Sequence, residues 1–213
     1  MPKGSPERTE KRKLEIMEAC GKLYQTMSFR EISLKEISSM TSFSRTSIYN
    51  YFHTKEEIFL AIFEAEYERW IASLKKILRL PAPLDRKTMA VKLATSLNRR
   101  QRLLKLLSMN LYDMEENSRP ERLASFKVAF GKAMRTMEEI LRKFRPEMTE
   151  RDRQEFLYVF FPFMYGIYPY AEVTERQKQA MAQAGIAYRY QTVYQLTLSC
   201  LEKLLKIQEE SEP

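Results

Sequence analysis

Apolar residues recur every three to four positions along most of the chain, and runs of strict alternation bounded by turn residues are absent. The pattern therefore predicts helices and no sheet. A first helix is expected over about 9–27, with Leu14, Met17, Cys20 or Gly21, Tyr24 and Met27 on its buried face. Ser33 followed by Glu36 reads as a capping box, opening a short helix with Leu34, Ile37 and Met40 inward. Ser42 and Phe43 fill a tight turn, and Ser44 caps a second short helix whose inner positions are Ile48 and Phe52. Thr54 and Glu57 form another capping box, from which a long helix runs to about Leu80, where Pro81 and Pro83 stop it. Further helices are predicted at 85–97, at 100–114, and at 119–144 with Ser118 as N-cap and Pro120 in the first turn. Thr149 caps a helix through Tyr168, inside which Pro162 should produce a kink, with Gly166 and Pro169 loosening the same stretch. A shorter helix at 175–184 ends at Gly185, and a last one covers about 186–208.

Composition changes this picture little. Five glycines among 213 residues, with 44% apolar and 30% charged positions, fit an all-α soluble chain. The formal net charge of +8 suits a polyanionic partner. Cys20 and Cys200 fall on apolar faces and read as reduced structural thiols. The N-terminal residues lack the apolar core of a signal peptide, and the apolar run 156–170 is too short for a bilayer span, so a cytoplasmic, non-membrane protein is expected. One histidine, His53, leaves no triad or di-metal bundle, and no Cys/His cluster or glycine-rich phosphate loop occurs. Neither an enzyme nor a cofactor or metal is expected.

Two short helices around a tight turn, followed at once by a fresh helix start, form the layout of a helix-turn-helix, which lays its second helix into the major groove of DNA. Such a helix needs small or polar residues at its tip, because bulk would hold the backbone away from the base edges. Arg45, Thr46, Ser47 and Asn50 meet that need: Arg45 can address guanine bidentately, Asn50 adenine, and Thr46 a thymine methyl. Ser33, Lys35, Ser44, Tyr49, Tyr51, Thr54 and Lys55 are candidates for the phosphates. The competing reading makes the aromatics plain core, which is favoured for Ile48 and Phe52 but not for Tyr49 or Lys55.

Residues from about 9 to 62 resemble the DNA-binding domain of the tetracycline-repressor family of bacterial transcription regulators. The resemblance rests on Ala19, Leu23 and Tyr24, then Ser33 and Ile37, then the run from Ser44 to Phe52, then Lys55, Glu56, Glu57 and Ile58. It implies a three-helix N-terminal bundle (1–53) carrying the helix-turn-helix, followed by a helical effector-binding and dimerisation domain (54–213). It also places Tyr49, Tyr51 and Lys55 on the family's usual phosphate contacts. Where the family usually has glycines, this chain has Ser28 and Ser42. Ser42 should then sit near a left-handed conformation, at a cost of ~1 kcal/mol.

The remaining two thirds support a class rather than an identity. Met109, Tyr112, Phe126, Phe130, Met134, Phe160, Phe163, Met164, Tyr165 and Tyr168 could line a pocket for a small hydrophobic or aromatic effector, or could be ordinary core. The basic run 75–105 reads as a solvated face or as a field toward DNA or an anionic effector. Family resemblance implies a homodimer through helices near 150–168 and 188–207, although the last helix could equally pack within its own subunit. The resulting expectation is a sequence-specific regulator, a repressor released from its double-stranded operator when an effector shifts the long helix. The alternative is a helical protein-interaction module that does not read DNA sequence.

Overall fold

The computed structural model describes residues 5–109 and 111–206. Among these residues there are helices and no strand: α1 (Pro6–Thr26), α2 (Leu34–Ser39), α3 (Arg45–Ile48), α4 (Lys55–Leu78), α5 (Arg86–Asn98), α6 (Gln101–Leu107), α7 (Leu111–Glu116), α8 (Pro120–Phe144), α9 (Glu150–Ala171), α10 (Glu175–Gln183) and α11 (Val193–Leu204). The expected helix at 100–114 is two helices, α6 and α7. The expected last helix starts seven residues late, because Thr192 rather than Ile186 caps it, in a capping box with Gln195.

The helices form two compact units. One holds the described residues up to Ala65 together with those between Met109 and Phe130; the other holds Glu66–Met109 and the described residues from Phe130 onward. This division differs from the expected cut at residue 54. Inside the first unit, the start of α4 is bonded to the α7–α8 junction. Thr54 donates its hydroxyl to the Asn117 carbonyl at 2.9 Å, and Phe63 meets Phe126 edge-on at 5.2 Å.

In that unit α1 buries Ile16, Ala19, Cys20 and Tyr24, with Ile37, Ile48, Phe52 and Phe59 opposite. Cys20, Gly21 and Tyr24 are buried as expected, with Ile16 and Ala19 beside them and Met17 and Met27 half-buried; Leu14 is instead 53% exposed, and Met40, at the end of α2, is 50% exposed. Tyr24 and Phe29 both pack edge-on against Phe59, with centroids 5.1 and 4.9 Å away. Burial pushes the Cys20 thiol up to about 12, despite the nearby Lys55 charge, so it is an inert apolar filler.

The second unit is built on aromatic packing. Trp70 and Phe161 lie 5.8 Å apart, Phe130 and Phe161 5.5 Å, and Tyr67 and Phe130 5.9 Å. The Trp70 indole donates to the Ser96 hydroxyl at 3.2 Å, so its one polar atom is satisfied. α9 continues as a helix past Pro162 and Pro169, rather than ending near Tyr168. Pro162 is exposed, as is Tyr158, whose carbonyl loses its partner and can turn to water. Gly185 has φ +67°, and the Ile186 N–H returns to the Met181 carbonyl at 3.0 Å, which is the glycine stop expected beyond α10.

Candidate nucleic-acid interface

Polar side chains bonded to backbone set the geometry of the helix-turn-helix. Ser33 accepts from the Lys35 N–H at 3.2 Å and donates to Glu36, while Ser44 accepts from the Ser47 N–H at 3.3 Å. The turn is not left-handed: the only non-glycine with positive φ among the described residues is Lys206. Ser42 avoids that cost because Glu15 on α1 accepts both its N–H and its hydroxyl, each at 2.8 Å. Those two bonds, the backbone one first, hold the Glu15 carboxyl below its ordinary range.

α3 is barely more than one turn, and Asn50, Tyr51 and Phe52 continue it through bonds to Ser47 and Ile48. Ile48 and Phe52 are fully buried, as expected. Arg45, Thr46, Tyr49 and Asn50 are exposed and Ser47 is half-buried. Arg45 donates to the Tyr49 hydroxyl at 3.3 Å. Lys35, Ser33 and Ser44 are exposed as well.

Three of the anticipated phosphate residues have other partners. Tyr51 is only 5% exposed, and its hydroxyl accepts from Arg12 at 3.0 Å, so it packs the bundle. Thr54 is engaged with Asn117 and caps α4 by accepting from the Glu57 N–H at 3.3 Å. Lys55 donates to the carbonyls of Phe29 at 2.7 Å and Ile32 at 2.9 Å, and its ammonium lies 4.3 Å from the centre of the Phe29 ring. It pins the segment between α1 and α2 onto the start of α4, with one of three N–H groups left over.

Glu57 was expected only as the far end of a capping box. Instead its side chain is fully buried, accepting from the His53 N–H at 2.9 Å and from the Arg119 backbone and guanidinium at 3.2, 2.6 and 2.8 Å. Burial pushes its carboxyl up; the Arg119 and His53 hydrogen bonds and the Arg119 charge outweigh burial and bring it to about 2. The carboxylate also sits at the start of α8, doing there what Ser118 was expected to do; the Ser118 hydroxyl is buried without a hydrogen-bond partner. Arg122 adds a bond to the Tyr51 carbonyl at 3.1 Å and stands 5.2 Å over the Phe52 ring. No spacing rule in the sequence pairs Glu57 with a residue 62 positions on.

A hollow of about 460 Å³ lies beside α3, lined by Arg30, Ser33, Lys35, Arg45, Thr54, Lys55 and Glu56 among others. Four cations face one carboxylate, and the start of α2 borders the same space. That is chemistry suited to a phosphate backbone. Arg30 was missed in the sequence because it lies between helices, where no periodicity marks it.

The anticipated effector residues are divided between the two units. Tyr112 and Phe126 belong to the first unit; Tyr112 is 77% exposed and Phe126 is buried against Phe63. In the second unit Phe160 and Met164 are fully buried, and Phe130, Met134, Phe163, Tyr165, Tyr168 and Met109 are half-buried. Phe130 and Phe160 each meet Phe161 edge-on, and Phe160 also lies against Phe163. Tyr67, buried beside Tyr165, has its phenol pKa raised by burial and by that neighbour. A hollow of about 320 Å³ in this unit is lined by Arg86, Arg145, Glu147, Phe156, Val159 and Lys203 among others, and by none of the anticipated residues.

A family model for the tetracyclin repressor-like C-terminal domain matches residues 64–193. The chain belongs to the tetracycline-repressor family. As a tetracycline-repressor-family chain it joins a group of DNA-binding transcriptional regulators. It is similar to the uncharacterized HTH-type transcriptional regulator YfiR of Bacillus subtilis strain 168, 32% identical over 75 residues. That stretch covers 35% of this chain and 37% of the relative, so the chain matches little more than a third of the relative's length. Among solved structures, it shares the fold of a TetR/AcrR-family regulator from Thermobifida fusca YX-ER1, with TM-score 0.64, 16% identity, and coverage of 94% of this chain and 100% of that one. It also shares that of the TetR-family regulator PfmR from Thermus thermophilus, with TM-score 0.61, 15% identity, and coverage of 91% and 99%.

Proposed function

We propose that this chain binds a double-stranded operator as a homodimer, presenting one α3 per protomer to successive major grooves, and acts as a repressor. The observation that carries the reading is the tip of α3. Arg45, Thr46 and Asn50 stand exposed on a helix whose other side is buried through Ile48 and Phe52, next to the cationic hollow. Arg45, Thr46, Ser47 and Asn50 take the base edges, while Arg30, Ser33, Lys35, Ser44 and Tyr49 take the backbone. Lys55 offers at most its one remaining N–H. One short helix reads few bases, and a two-fold dimer spaced for half-sites roughly 34–36 Å apart multiplies the discrimination. The exposed Tyr158, Val159 and Tyr170 on α9 suit such a dimer contact, with α11 beside it.

Regulation follows from the chain path. α4 and α8 each supply residues to both units, so a small apolar or aromatic effector held by the second unit can bias the clamp that Glu57, Arg119 and Arg122 make on the helix-turn-helix. A cytoplasmic location goes with this reading; no helix among the described residues is long and apolar enough to cross a membrane.

The test is binding to genomic fragments in an electrophoretic shift at several salt concentrations. Asn50→Ala should lose discrimination at one base position, worth roughly 1–3 kcal/mol. Lys35→Ala should instead weaken every site and flatten the salt slope by about one unit. Binding that ignores sequence, or indifference to Asn50→Ala, would leave only the interaction-module reading.

A further inference from the structure

We propose that the hollow of about 320 Å³ in the second unit is a binding site for small organic acids, each a carboxylate joined to an apolar body. The site is distinct from the aromatic cluster, and the proposal does not depend on how the chain reads DNA.

Four segments close around the hollow: the start of α5, the turn between α8 and α9, the first turns of α9, and the end of α11. α11 packs on both α5 and α9, so these walls belong to one packed body. Phe156, Val159, Leu204 and Leu205 supply apolar surface, and Arg86, Arg145, Lys203 and Lys206 supply charge. Apolar lining with a few convergent polar groups, at the small end of ligand-sized volumes, suits a compact organic molecule.

Arg145 is the anchor. It is only 8% exposed, and its Nε is buried without a hydrogen-bond partner. One Nη donates to the Leu84 carbonyl, while the other lies 3.7 Å from Glu147 Oε1, beyond hydrogen-bond length. A buried guanidinium with donors left over carries a free-energy cost until an acceptor reaches it.

The acids lining the hollow are engaged elsewhere. Asp152 accepts from the Thr149 N–H at 2.8 Å and hydroxyl at 2.6 Å in the cap of α9, and Glu155 pairs with Arg151 at 2.9 Å. Glu147 pairs with Arg86 at 3.1 Å, and Arg86 also donates to the Lys206 carbonyl at 3.3 Å. Lys203 is exposed and has no ion-pair partner among the described residues. Arg145 and Lys203 are therefore short of a counter-charge.

Glu147 shows which anion the site takes. Its carboxylate oxygen stands between Arg86 and Arg145, close to the first and loose on the second. A free carboxylate entering the hollow replaces it at Arg145, gaining charge-assisted bonds from Arg145 and Lys203, while its body lies on Phe156, Val159 and Leu204. Glu147 is exposed and can turn to water. It is thus an internal competitor for the ligand.

The experiment is calorimetric titration of the wild-type chain with 4-phenylbutyrate, beside its uncharged counterpart 4-phenylbutanamide. The acid should bind at one site per chain, and the amide should bind roughly tenfold more weakly or worse. Arg145→Met should weaken the acid by roughly tenfold or more. Because Arg145 also holds the Leu84 carbonyl, Glu147→Gln is the second variant, at an exposed position. Removing the competing charge should tighten the acid by roughly threefold and leave the amide unchanged. Equal affinity for acid and amide overturns the proposal. Acid binding that neither substitution alters also overturns it, by placing the ligand elsewhere, and so does an absence of binding at millimolar acid.

Discussion

The two compact units differ in what lies at their centres more than in their polar ties, since Lys143 in the second also bonds the Leu78 and Leu80 carbonyls. In the first, charged and polar side chains reach across to backbone atoms: Glu15 to Ser42, Lys55 to Phe29 and Ile32, Thr54 to Asn117, Arg122 to Tyr51. In the second, the centre is a set of rings, Tyr67, Trp70, Phe130, Phe160 and Phe161, whose contacts have no donor and acceptor. Directional bonds fix one loop conformation and so hold a groove-reading helix in one pose. Ring packing is strong but adaptable, and a volume-conserving rearrangement of it costs little, which suits a body that has to accommodate an effector.

The largest effect should come from emptying the ring cluster. Phe161 is 2% exposed and touches Trp70, Phe130 and Phe160. Phe161→Ala should cost about 4 kcal/mol in urea unfolding, whereas Phe161→Leu should recover most of it. If the alanine variant loses less than ~1 kcal/mol, the body does not depend on that cluster and the contrast fails.

Next is the buried ion pair of the first unit. Arg119→Ala strands a fully buried Glu57 carboxylate, at a cost of about 3 kcal/mol near neutral pH. The sign of the pH dependence follows from Glu57 standing at about 2 in the folded chain, below its ordinary carboxylate value. The stabilisation is complete above that ordinary value and is lost as pH falls through about 2. Chemical denaturation at pH 7 and at pH 3 should therefore show the gap between wild type and Arg119→Ala narrowing with acid. A gap that widens instead means that Glu57 is not the group responsible. Arg119→Lys should recover only part of the loss, since an ammonium cannot make the two-pronged contact.

How much of this the sequence disclosed follows the same contrast. The helix-turn-helix was legible because capping rules act over three residues: Ser33 with Glu36, and Ser44 with the Ser47 N–H, are local and positional. Gly185 was legible for the same reason, a single backbone torsion that favours glycine. The partners of Tyr51 and Lys55 within the chain were not, because a hydroxyl or ammonium that could reach phosphate can also reach Arg12 or two carbonyls. On α1 the expected Cys20, Gly21 and Tyr24 are buried, but Leu14 was taken for Ile16, since the two are equally apolar in sequence while only Ile16 is buried. In the body, periodicity marked Phe130 and Phe160 as inward but could not rank them as core or cavity wall, and it passed over Phe161 altogether.

Lys55 separates clamp from contact. Lys55→Met keeps the stem over Phe29 but removes the bonds to two carbonyls, and should cost about 1.5 kcal/mol in unfolding free energy. Operator affinity should fall with it, with the salt slope nearly unchanged. An unaltered unfolding midpoint with a slope flattened by about one unit would assign the ammonium to phosphate instead.

The smallest effect should come from Glu15→Gln, which tests whether the turn is held by geometry or by charge. The amide oxygen can still accept from the Ser42 N–H and hydroxyl, so the loop survives, but the bonds lose their charge-assisted strength. The Tm should drop by only about 1–2 °C. Because those bonds hold the Glu15 carboxyl low, wild type should keep its advantage above the ordinary carboxylate range and lose it as pH falls toward the depressed value, where Glu15 takes up its proton. The variant should show no such loss. DNA affinity should weaken more than the Tm suggests, because Ser42 sits two residues before the cap of α3 and a looser turn spreads the poses of Arg45 and Thr46. If affinity and Tm fall in strict proportion, Glu15 serves stability alone and the turn needs no directional bond to aim the helix.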